Sequence, residues 1–299
     1  MKIDLAVVIP YYKIDFFQET LDSLTNQTDK NFNVYIGNDA SPNNPEELLI
    51  QYQDKLNITY QDFKENLGSK SLVQQWYRCL ELVKDEKWVM ILGDDDVLSS
   101  NVISNFYFEV NKNTSTKVFR FATQVIDENS NKKSSIYTHP KKENGFDFFE
   151  RKLNGETRSS LSEYVFNKSE LFKTGIKDLP LAWYSDLLLI IELGIENPII
   201  SINESVVYFR NSGINITSKN DNLLKKNEAT FAFYFYLIQK YKTKISSAFL
   251  KTLYAKLEKT ILDNKKNLNF WIKTLNLYVM NGKFLQFISL FFKAIKRIL

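Results

Sequence analysis

Several residue types on which catalytic chemistry often depends are scarce in this sequence. Its 299 residues include one cysteine, Cys79, and one histidine, His139. A single cysteine excludes an intramolecular disulfide and is compatible with a reducing compartment. A single histidine excludes a metal site built from several imidazoles, and we interpret His139, which precedes Pro140, as a loop residue.

Long apolar runs are also absent. The longest, around 187–191, stops at Glu192, far short of the roughly 18 residues of a membrane-spanning helix. The first residues lead directly into a short apolar run that ends at Pro10, which leaves no room for the basic and apolar regions of a secretion signal. We therefore expect a cytoplasmic protein, and peripheral association with the inner face of the cell membrane is compatible with this expectation.

The glycine-rich loops of several nucleotide-binding classes are missing too. The sequence contains neither the Gly-Lys-Ser/Thr loop of P-loop enzymes nor a dinucleotide-binding fingerprint. A sugar-nucleotide pyrophosphorylase normally begins with a Gly-rich, Arg-containing loop, and no such loop follows Ile9. These absences argue against all three classes.

The composition that is present indicates a globular protein with a basic tail. Hydrophobic residues make up 44% of the chain and charged residues 25%, and the length suffices for a domain of about 200 residues with an appendage. The net charge of +4 conceals an asymmetry, because residues 240–299 hold thirteen Lys and Arg against two acids. Their net charge is +11 and that of the remainder is −7. Such a tail is attracted to anionic surfaces.

Strand and helix patterns alternate over the first hundred residues. Short β-branched runs bounded by turn residues predict buried strands, and the stretches between them predict helices. This alternation predicts an α/β fold with a doubly wound, mostly parallel sheet, whose ligands bind beyond the carboxyl ends of the strands. The predicted strands are 5–9, 34–36, 58–60 and 88–92, and the predicted helices begin at a capping box of Asp15 and Gln18, near Asn44 and near Ser69.

Beyond residue 100 the pattern is mixed and then helical. We predict strands at 118–126 and 164–167, a helix at 186–193 and a hairpin-forming pair of strands at 199–202 and 206–209. From about Asn222 onward the sequence lacks strand alternation and proline, which predicts helices. We therefore divide the chain into a domain at 1–215 and a basic helical C-terminal region at 216–299.

Three adjacent carboxylates, Asp94, Asp95 and Asp96, follow the fourth predicted strand. Neighbouring carboxylates raise one another's pKa unless a cation compensates, and such oxygen ligands suit Mg²⁺ or Mn²⁺ held together with substrate phosphates. A solvated turn that caps the helix near Ser99 is the alternative for an isolated acidic triplet. The position at the predicted ligand edge favours the metal site.

Two further side chains stand at the ends of predicted strands. Asp39, after the second strand, is placed to accept hydrogen bonds from a ribose or from a base N–H. An N-cap or an Asx turn before Pro42 explains this residue type equally well. Tyr12, after the first strand, is able to stack on a base or to cover the sheet edge, and the residue type alone does not decide between these roles.

In their order, these pieces resemble the family-two glycosyltransferases of the GT-A fold. The strand that ends in Pro-x-Tyr lies at 8–12, the Asp-Gly-Ser-like turn at 38–41, the Asn-x-Gly at 66–68 and the Asp-x-Asp metal motif within 92–98. No single motif is specific, but the order and spacing of all four match, and the resemblance covers residues 1 to about 215. It implies an inverting glycosyltransferase of the kind that acts in bacterial polysaccharide biosynthesis, with a GT-A sheet followed by a C-terminal helical extension.

The resemblance also implies roles for individual residues. Asp95 and Asp96 match ligands of a Mn²⁺ or Mg²⁺ ion, with Asp95 the first choice for direct contact. The positions that match binding of the nucleotide sugar are Pro10, Tyr12, Asp39, Asn66, Gly68, Asp94, Asp95 and Arg210.

Two of these matches leave alternatives open. Asp186, within 183–188, matches the general base, and Ser185 stands where many relatives have Glu; an N-cap of the following Leu-rich helix is the alternative for Asp186. Arg210 with 215–217 resembles a segment that closes over the diphosphate, and a surface ion pair is the alternative for Arg210. Relatives often have Ala-Arg-Asn near 74–78, where this chain has Gln-Gln-Trp-Tyr-Arg.

The implied reaction is a direct displacement at the anomeric carbon of a nucleoside-diphosphate sugar, with a UDP-sugar favoured. The acceptor is a hydroxyl group of a glycan or of a lipid-linked molecule, Asp186 takes its proton, and the metal stabilises the leaving diphosphate. One base on one face implies inversion. The alternative is a non-catalytic protein of the same fold that binds a sugar or nucleotide at the membrane surface, but intact Asp39, Asp95 and Asp186 argue against it.

Acceptor specificity is expected between about 123 and 181, the least family-like part of the domain. Five side chains there are candidates for an acceptor groove, with packing in the core as the alternative. They are Phe146, Phe148, Phe149, Arg158 and Tyr164.

The last segment, 283–299, has the pattern of a basic amphipathic helix. Such a helix can lie in a membrane interface, where anionic lipids add about 1 kcal/mol per nearby Lys or Arg. Packing on the preceding helices or on a second subunit is the alternative, and the interleaved Phe and Leu argue against a nucleic-acid partner. The polar stripe is Gln286, Ser289, Lys293, Lys296 and Arg297, and the apolar stripe is Phe284, Phe287, Ile288, Phe291 and Ile295.

Overall fold

The structure, a computed structural model, describes residues 4–213 and 222–296. The chain forms two compact units. The first consists of Met1–Asp178 and Ser185–Lys219, and the second of Leu179–Tyr184 and Asn220–Leu299. The domain boundary predicted at residue 215 falls within 214–221, outside the described residues, and stays a prediction.

The first unit is built on a sheet whose opening half is parallel. The strands β1 (Leu5–Tyr11), β2 (Phe32–Asn38), β3 (Ile58–Asp62) and β4 (Trp88–Ile91) lie in the order β3-β2-β1-β4. β1, β2 and β4 are almost wholly buried, as expected for parallel strands with both faces covered. All four predicted strands are present, and the predicted α/β fold is confirmed.

Three helices connect these strands: α1 (Phe17–Thr25), α2 (Glu46–Ile50) and α3 (Leu72–Leu80). The start of α2 is as predicted, and the starts of α1 and α3 differ from the sequence-based expectation. The capping box of Asp15 and Gln18 is wrong, because α1 begins after Phe16 and has no side-chain cap. α3 begins later than predicted, where the Ser71 hydroxyl accepts a hydrogen bond from the Gln74 amide at 3.1 Å and satisfies one of the free N–H groups of the first turn.

The second half of the sheet mixes the two strand directions. β4 pairs antiparallel with β8 (Tyr164–Asn167), β8 pairs antiparallel with β6 (Val118–Ile126), and β6 runs parallel to β9 (Ile199–Arg210). The two-residue strands β5 (Val97–Leu98) and β7 (Lys142–Glu143) pair antiparallel with β9. The longest pairings of the sheet are parallel, as predicted.

The hairpin predicted at 199–202 and 206–209 is wrong, because both segments belong to the single strand β9. The register of β6 against β9 shifts between Phe121 and Ala122, opposite residues 203–205. The polar triplet therefore forms a bulge and does not turn back. As a result, β9 continues to Arg210, whose amide reaches the loop after β4.

Four more helices belong to the first unit, and two of them touch through their backbones. They are α4 (Val102–Lys112), α5 (Gly145–Leu153), α6 (Lys168–Thr174) and α7 (Ser185–Glu196). A Cβ atom at Gly145 would lie 2.2 Å from the Ile191 carbonyl oxygen, and one at Gly194 would lie 3.0 Å from the Gly145 backbone. These two glycines therefore permit the close approach of α5 and α7.

The second unit is helical, which confirms the prediction for the region after Asn222. Its helices are α8 (Leu223–Tyr241), α9 (Ser247–Asp263), α10 (Leu268–Met280) and α11 (Phe284–Lys296). α8 and α10 meet through the Phe231 and Phe270 rings, which stack with their centres 4.0 Å apart. Among the described residues, no helix combines the length and the apolar character that crossing a membrane requires.

Candidate functional site

The carboxyl ends of β1, β2 and β4 meet at one edge of the sheet. Tyr11 at the end of β1 lies beside Asn38 at the end of β2, and Pro10 lies beside Gly37. The loops that follow these strands carry Tyr12, Asp39 and the acidic run 94–96, and we call this group the donor edge. Ligands bind at such an edge in open α/β sheets, so the fold brings the predicted side chains to the expected place.

Asp94 joins the loop after β4 to the loop after β1. Its Oδ2 atom accepts hydrogen bonds from the amides of Tyr12 and Lys13, both at 2.7 Å. The Ser41 hydroxyl also donates to the Tyr12 carbonyl, at 2.6 Å. The backbone of Tyr12 is thus held from two sides while its side chain stays accessible, with the residue 40% exposed, and the ring is available to stack on a planar ligand.

Asp39 organises the loop that contains the Asn-x-Gly segment. Its two carboxylate oxygens accept hydrogen bonds from the amides of Leu67 at 2.7 Å and Gly68 at 2.9 Å. A Cβ atom at position 68 would lie 2.5 Å from Asp39 Oδ2, so this contact requires glycine. Asn66 closes the turn, because its side-chain oxygen accepts from the Ser69 amide at 2.8 Å. The motif therefore positions the backbone around a buried carboxylate.

Arg78 completes the surroundings of Asp39 and was not predicted. Its Nη2 atom donates to Asp39 Oδ1, and its guanidinium lies 4.0 Å from the centre of the Phe63 ring. Burial raises the pKa of Asp39, while the two loop amides and Arg78 oppose this effect. The local side-chain-to-backbone bond in this turn is made by the neighbouring residue, because Asn38 Oδ1 accepts from the Ser41 amide at 2.9 Å.

Asp96 is buried, and both of its oxygens are engaged. Oδ1 accepts a hydrogen bond from the Arg210 amide at 2.9 Å, and Oδ2 accepts one from the Ser162 hydroxyl. Ser162 in turn accepts from the Gly93 amide at 3.0 Å. Asp96 thus connects the acidic loop to β9 and to the turn before β8. Its role as a metal ligand stays a prediction and would require it to share these hydrogen bonds.

Asp95 differs from its neighbours, because no hydrogen bond to its carboxylate comes from the described part of the chain. Burial and the charges of Asp96 and Asp94 raise the pKa of Asp95 to about 8. A partly exposed carboxylate without a partner fits a Mg²⁺ or Mn²⁺ ion that takes its other ligands from substrate phosphates and water. The described residues contain no group of three His, Cys, Asp or Glu side chains able to hold a metal by themselves, so substrate would have to supply those ligands.

Arg210 is the last residue of β9 and is fully buried. Its Nε atom donates to the Asp95 carbonyl at 2.9 Å, and its Nη2 atom donates to the Glu19 carboxylate at 2.8 Å. The ion pair considered for Arg210 is present, with Glu19 as its partner, but the guanidinium is buried and also supports the backbone of the acidic loop. Contact of Arg210 with a diphosphate stays a prediction, and the accompanying segment 215–217 lies outside the described residues.

Asp186 lies in the first turn of α7, as predicted. An acidic side chain in this turn also stabilises the start of the helix. Burial raises the pKa of Asp186, and Leu187, Lys152 and Arg158 oppose this effect. Burial raises the pKa of Asp96, and Arg158 is among the groups that oppose this effect, so the same guanidinium acts on the predicted base and on the donor edge.

The backbone just before Asp186 is strained. Leu181, Ala182 and Tyr184 have φ angles of 61°, 52° and 71°, in the left-handed region that costs a residue with a Cβ atom roughly 1 to 2 kcal/mol. The Tyr184 ring stacks on Phe233 with the ring centres 4.6 Å apart. Strain of this kind is concentrated at functional sites, which supports a role for the segment that leads into α7.

The candidates for an acceptor groove fall into two groups. Arg158 remains partly exposed, with its guanidinium 4.2 Å from the Phe209 ring centre and a 3.4 Å contact to the Glu163 carboxylate. The other four side chains are buried in the core: Phe146, Phe148, Phe149 and Tyr164. For these four, the packing alternative describes the structure.

Three supporting side chains were missed by motif comparison. Arg78, Ser162 and Glu19 each contact a predicted site residue that is distant in sequence. A serine in a turn or a glutamate on a helix carries no local pattern that indicates such a contact. Only for Arg78 did the sequence offer an indication: it lies in a helix whose sequence departs from the usual pattern of the family.

Comparison with sequence families and with curated proteins finds matches among glycosyltransferases. The model of glycosyl transferase family 2 matches residues 6–168. An uncharacterized glycosyltransferase of Mycoplasma genitalium, MG060, is 32% identical over 106 residues, which cover 34% of this chain and 35% of that protein. An uncharacterized glycosyltransferase of Rickettsia prowazekii, RP339, is 28% identical over 128 residues, 42% of this chain and 38% of that protein. The matches thus span little more than a third of these relatives.

Crystal structures of S. aureus TarS share the fold. TarS 1–349 in complex with UDP-GlcNAc superposes with a TM-score of 0.67 at 15% identity, over 98% of this chain and 81% of that one. Its complex with UDP gives a TM-score of 0.58 at 14% identity, over 96% of this chain and 89% of that one. This likeness confirms the predicted GT-A fold with C-terminal helices. Since the family model matches more than half of the 299 residues, the chain belongs to glycosyl transferase family 2.

Proposed function

We propose that this glycosyltransferase moves a sugar from a nucleoside-diphosphate sugar, with a UDP-sugar favoured, to a hydroxyl group of a glycan or lipid-linked acceptor. The observation that carries the proposal is the meeting of Tyr12, Asp39 and Asp95 at the carboxyl edge of the parallel strands. TarS, which has the same fold, is solved with UDP-GlcNAc and with UDP, and this supports a uridine donor.

The nucleoside half of the donor is assigned to the loops after β1 and β2. The exposed Tyr12 ring stacks on the base. Asp39 accepts hydrogen bonds from the base or the ribose, since a carboxylate has about four acceptor positions and the loop amides and Arg78 leave capacity for a further donor. Pro10, Asn66 and Gly68 fix the backbone that surrounds these two side chains.

The diphosphate half is assigned to the acidic loop. Asp95, with Asp96 as the second candidate, would hold a Mn²⁺ or Mg²⁺ ion, which would supply positive charge to the leaving diphosphate. Asp94 keeps this loop against Tyr12 and Lys13. The Arg210 guanidinium donates a hydrogen bond to the Asp95 carbonyl. This bond fixes the backbone that carries the Asp95 side chain.

Asp186 is assigned as the general base. It accepts the proton of the acceptor hydroxyl while the acceptor oxygen bonds to the anomeric carbon and the bond to the diphosphate breaks. Burial raises the pKa of Asp186, which makes it a better proton acceptor than an exposed aspartate. A single base that delivers the acceptor from the side opposite the diphosphate gives inversion of configuration.

Turnover of a panel of UDP-, GDP-, dTDP- and CDP-sugars in the presence of Mn²⁺ tests this proposal. Asp186→Asn should lower kcat on the order of a hundredfold or more with little change in nucleotide affinity. Asp147→Asn is the matched control, because Asp147 is an exposed aspartate in the first turn of α5, and it should be neutral. A product with retained configuration, seen by proton NMR, would contradict the assigned mechanism. Nucleotide binding without turnover of any donor would favour a non-catalytic binding protein of this fold.

We also propose that the C-terminal helices attach this cytoplasmic protein to the surface of an anionic membrane. One stripe of α11 packs within the second unit: Leu290 and Ala294 are buried, and the Phe291 ring lies edge-on to Trp271 at 5.7 Å. A second stripe is open, since Leu285 is 79% and Phe292 is 58% exposed. The packing alternative therefore accounts for only part of the apolar surface of this helix.

Lysines accompany the exposed apolar surface, which is the combination that interfacial helices use. α10 and α11 contain no acidic residue. The exposed apolar side chains of α10 are Leu268, Ile272, Val279 and Met280, and the lysines of this surface are Lys273, Lys283, Lys293 and Lys296. An anionic lipid surface matches both the charge and the apolar character.

Co-sedimentation with vesicles tests the membrane proposal. The protein should bind vesicles that contain phosphatidylglycerol and not vesicles of pure phosphatidylcholine. Replacement of Lys293 and Lys296 by Gln should weaken binding by about thirtyfold, since each lysine near an anionic surface contributes about 1 kcal/mol. Replacement of the exposed Lys132 and Lys142 of the first unit is the control with the same change in charge. Equal losses for both pairs would refute a specific role of α11.

A further inference from the structure

The helices α5 and α7 run antiparallel. At one end, the side chain of Asn144 donates to the Ile195 carbonyl at 3.0 Å, and Gly145 touches the backbone of Ile191. Lys152 follows Gly145 by seven residues and lies about 10 Å further along α5, at 1.5 Å per residue. Lys152 and Asp186 each influence the pKa of the other. The last turn of α5 therefore lies beside the first turn of α7.

Two cations oppose the effect of burial on the pKa of Asp186. Its carboxylate is influenced by Lys152 from α5 and by Arg158 from the segment after α5. Glu163 is the other acid that acts on Lys152. On α6, which also packs against α7, the acid Glu170 is paired with Lys117 at 2.8 Å.

Of these two cations, Lys152 makes fewer direct contacts than Arg158. Arg158 stacks on Phe209 and contacts the Glu163 carboxylate at 3.4 Å. For the Nζ atom of Lys152, no hydrogen bond or ion pair is found within the described ranges 4–213 and 222–296. Among the described residues, the acids that act on it are Asp186, with the larger effect, and Glu163. A half-buried ammonium group without a direct partner is costly, and Asp186 is the charge that compensates it most.

We propose that Lys152 is a positioning residue for the transfer reaction, whose ammonium group keeps the Asp186 carboxylate ionised and therefore able to accept the acceptor proton. The inference rests on the proposed role of Asp186 as general base. In the reaction, the acceptor O–H proton moves to a carboxylate oxygen of Asp186, the acceptor oxygen bonds to the anomeric carbon, and the diphosphate leaves with the electron pair of the broken C–O bond. A carboxyl group that already carries a proton cannot start this sequence.

The electrostatic effects on the two side chains agree with this role. Burial raises the pKa of Asp186, and Lys152 is the first charged group to oppose it. Burial lowers the pKa of Lys152, and Asp186 is the first group to oppose that. Each side chain thus stabilises the charged form of the other, as opposite charges do.

The pH dependence of kcat/KM tests the inference in the full-length protein. Lys152→Met removes the charge and preserves much of the volume. Without that charge Asp186 keeps its proton to higher pH, so the acidic limb should move to higher pH, and kcat/KM below the limb should fall about tenfold more than at the plateau. Lys152→Arg should restore the profile. Lys173→Met, at a lysine of α6 whose side chain is 76% exposed, is the control and should leave the profile unchanged.

A second readout separates this inference from the proposed function. The titration of the Asp186 carboxyl carbon, assigned with Asp186→Asn, is followed by carbon-13 NMR in the wild type and in Lys152→Met, with Lys152→Gln as the substitute where the methionine variant does not fold. A midpoint that moves to higher pH in a protein without transfer activity would support the Lys152–Asp186 coupling and remove the proposed function. Transfer activity with an unmoved midpoint and an unmoved acidic limb would overturn the inference alone.

Discussion

The aspartates at the donor edge differ in their hydrogen bonds. Asp39 and Asp96 accept hydrogen bonds on both oxygens, and Asp94 binds two amides of the neighbouring loop. Asp95 has no such partner in the described part of the chain. The engaged carboxylates build the site, which leaves Asp95 as the group most available to a ligand.

This division predicts opposite effects of two neighbouring substitutions. Asp96→Ala leaves the buried Ser162 hydroxyl and Arg210 amide without their acceptor, so it should lower the free energy of unfolding by about 3 kcal/mol. Asp95→Ala removes no hydrogen bond and relieves repulsion among the carboxylates, so the stability should stay the same or rise. Urea unfolding of both variants at pH 7.5 measures the difference. An equal loss of stability in both would contradict the assignment.

The second prediction for a single residue concerns the buried His139. His139 lies outside helices and strands, as predicted, and is buried. Burial, with Arg120, Arg151 and Arg158 nearby, lowers the pKa of His139 from 6.5 to about 2. Below pH 6.5 the unfolded chain therefore binds a proton that the folded protein does not bind. Stability should fall as the pH drops, by up to about 1.4 kcal/mol per pH unit.

His139→Gln isolates this contribution. Between pH 7 and pH 5, the wild type should lose about 2 kcal/mol more of its free energy of unfolding than the variant loses. Urea unfolding at the two pH values gives both numbers. Parallel losses in the two proteins would show that His139 is protonated in the folded state.

Local sequence patterns predicted some strands of the sheet correctly and others incorrectly. The strands β1 to β4 were predictable, because each is a short β-branched run bounded by turn residues. The hairpin at 199–209 was not, because residues 203–205 have the polar character of a turn and only pairing with β6 converts them into a bulge. Local signals therefore identify an element, while its partner determines where the element ends.

Local sequence patterns also predicted only part of the candidate functional site. The order of the motifs predicted which loops meet, because parallel strands end at one edge. The supports of Asp39 and Asp96 are Arg78 and Ser162, which are distant in sequence. Such contacts depend on tertiary packing and have no local pattern.

The contact between α5 and α7 gives a prediction at the scale of elements. Gly145→Ala places a Cβ atom 2.2 Å from the Ile191 carbonyl oxygen, and neither helix backbone can move away without loss of packing. The free energy of unfolding should fall by about 2 to 3 kcal/mol. Because α5 carries Lys152 and α7 carries Asp186, kcat should fall as well.

A matched control on the same helix is available. Glu150 is exposed on α5, and Glu150→Ala should change stability by less than about 0.5 kcal/mol. Thermal unfolding and turnover are measured for both variants. A neutral Gly145→Ala would show that the two helices are farther apart than the structure has them.

In the whole molecule, the net charge and the predicted site residues are distributed unevenly along the chain. Residues 240–299 carry a net charge of +11, and the rest of the sequence carries −7. The predicted donor and base residues all lie in the first unit, and the exposed apolar and basic surface of α10 and α11 lies in the second. This division agrees with the proposed roles, donor binding and catalysis in the first unit and membrane attachment in the second, and it predicts that charge substitutions in α11 leave nucleotide affinity unchanged.

The central claim, that the donor edge binds a nucleoside diphosphate through Asp95, is tested most directly by calorimetry. The purified protein is titrated with UDP, GDP, dTDP and CDP, with and without Mn²⁺, beside Asp95→Ala. The account predicts binding of one nucleotide, UDP, that depends on Mn²⁺ and is lost in Asp95→Ala while the variant stays folded. Absence of binding to all four nucleotides, or equal binding by the wild type and Asp95→Ala, would contradict it.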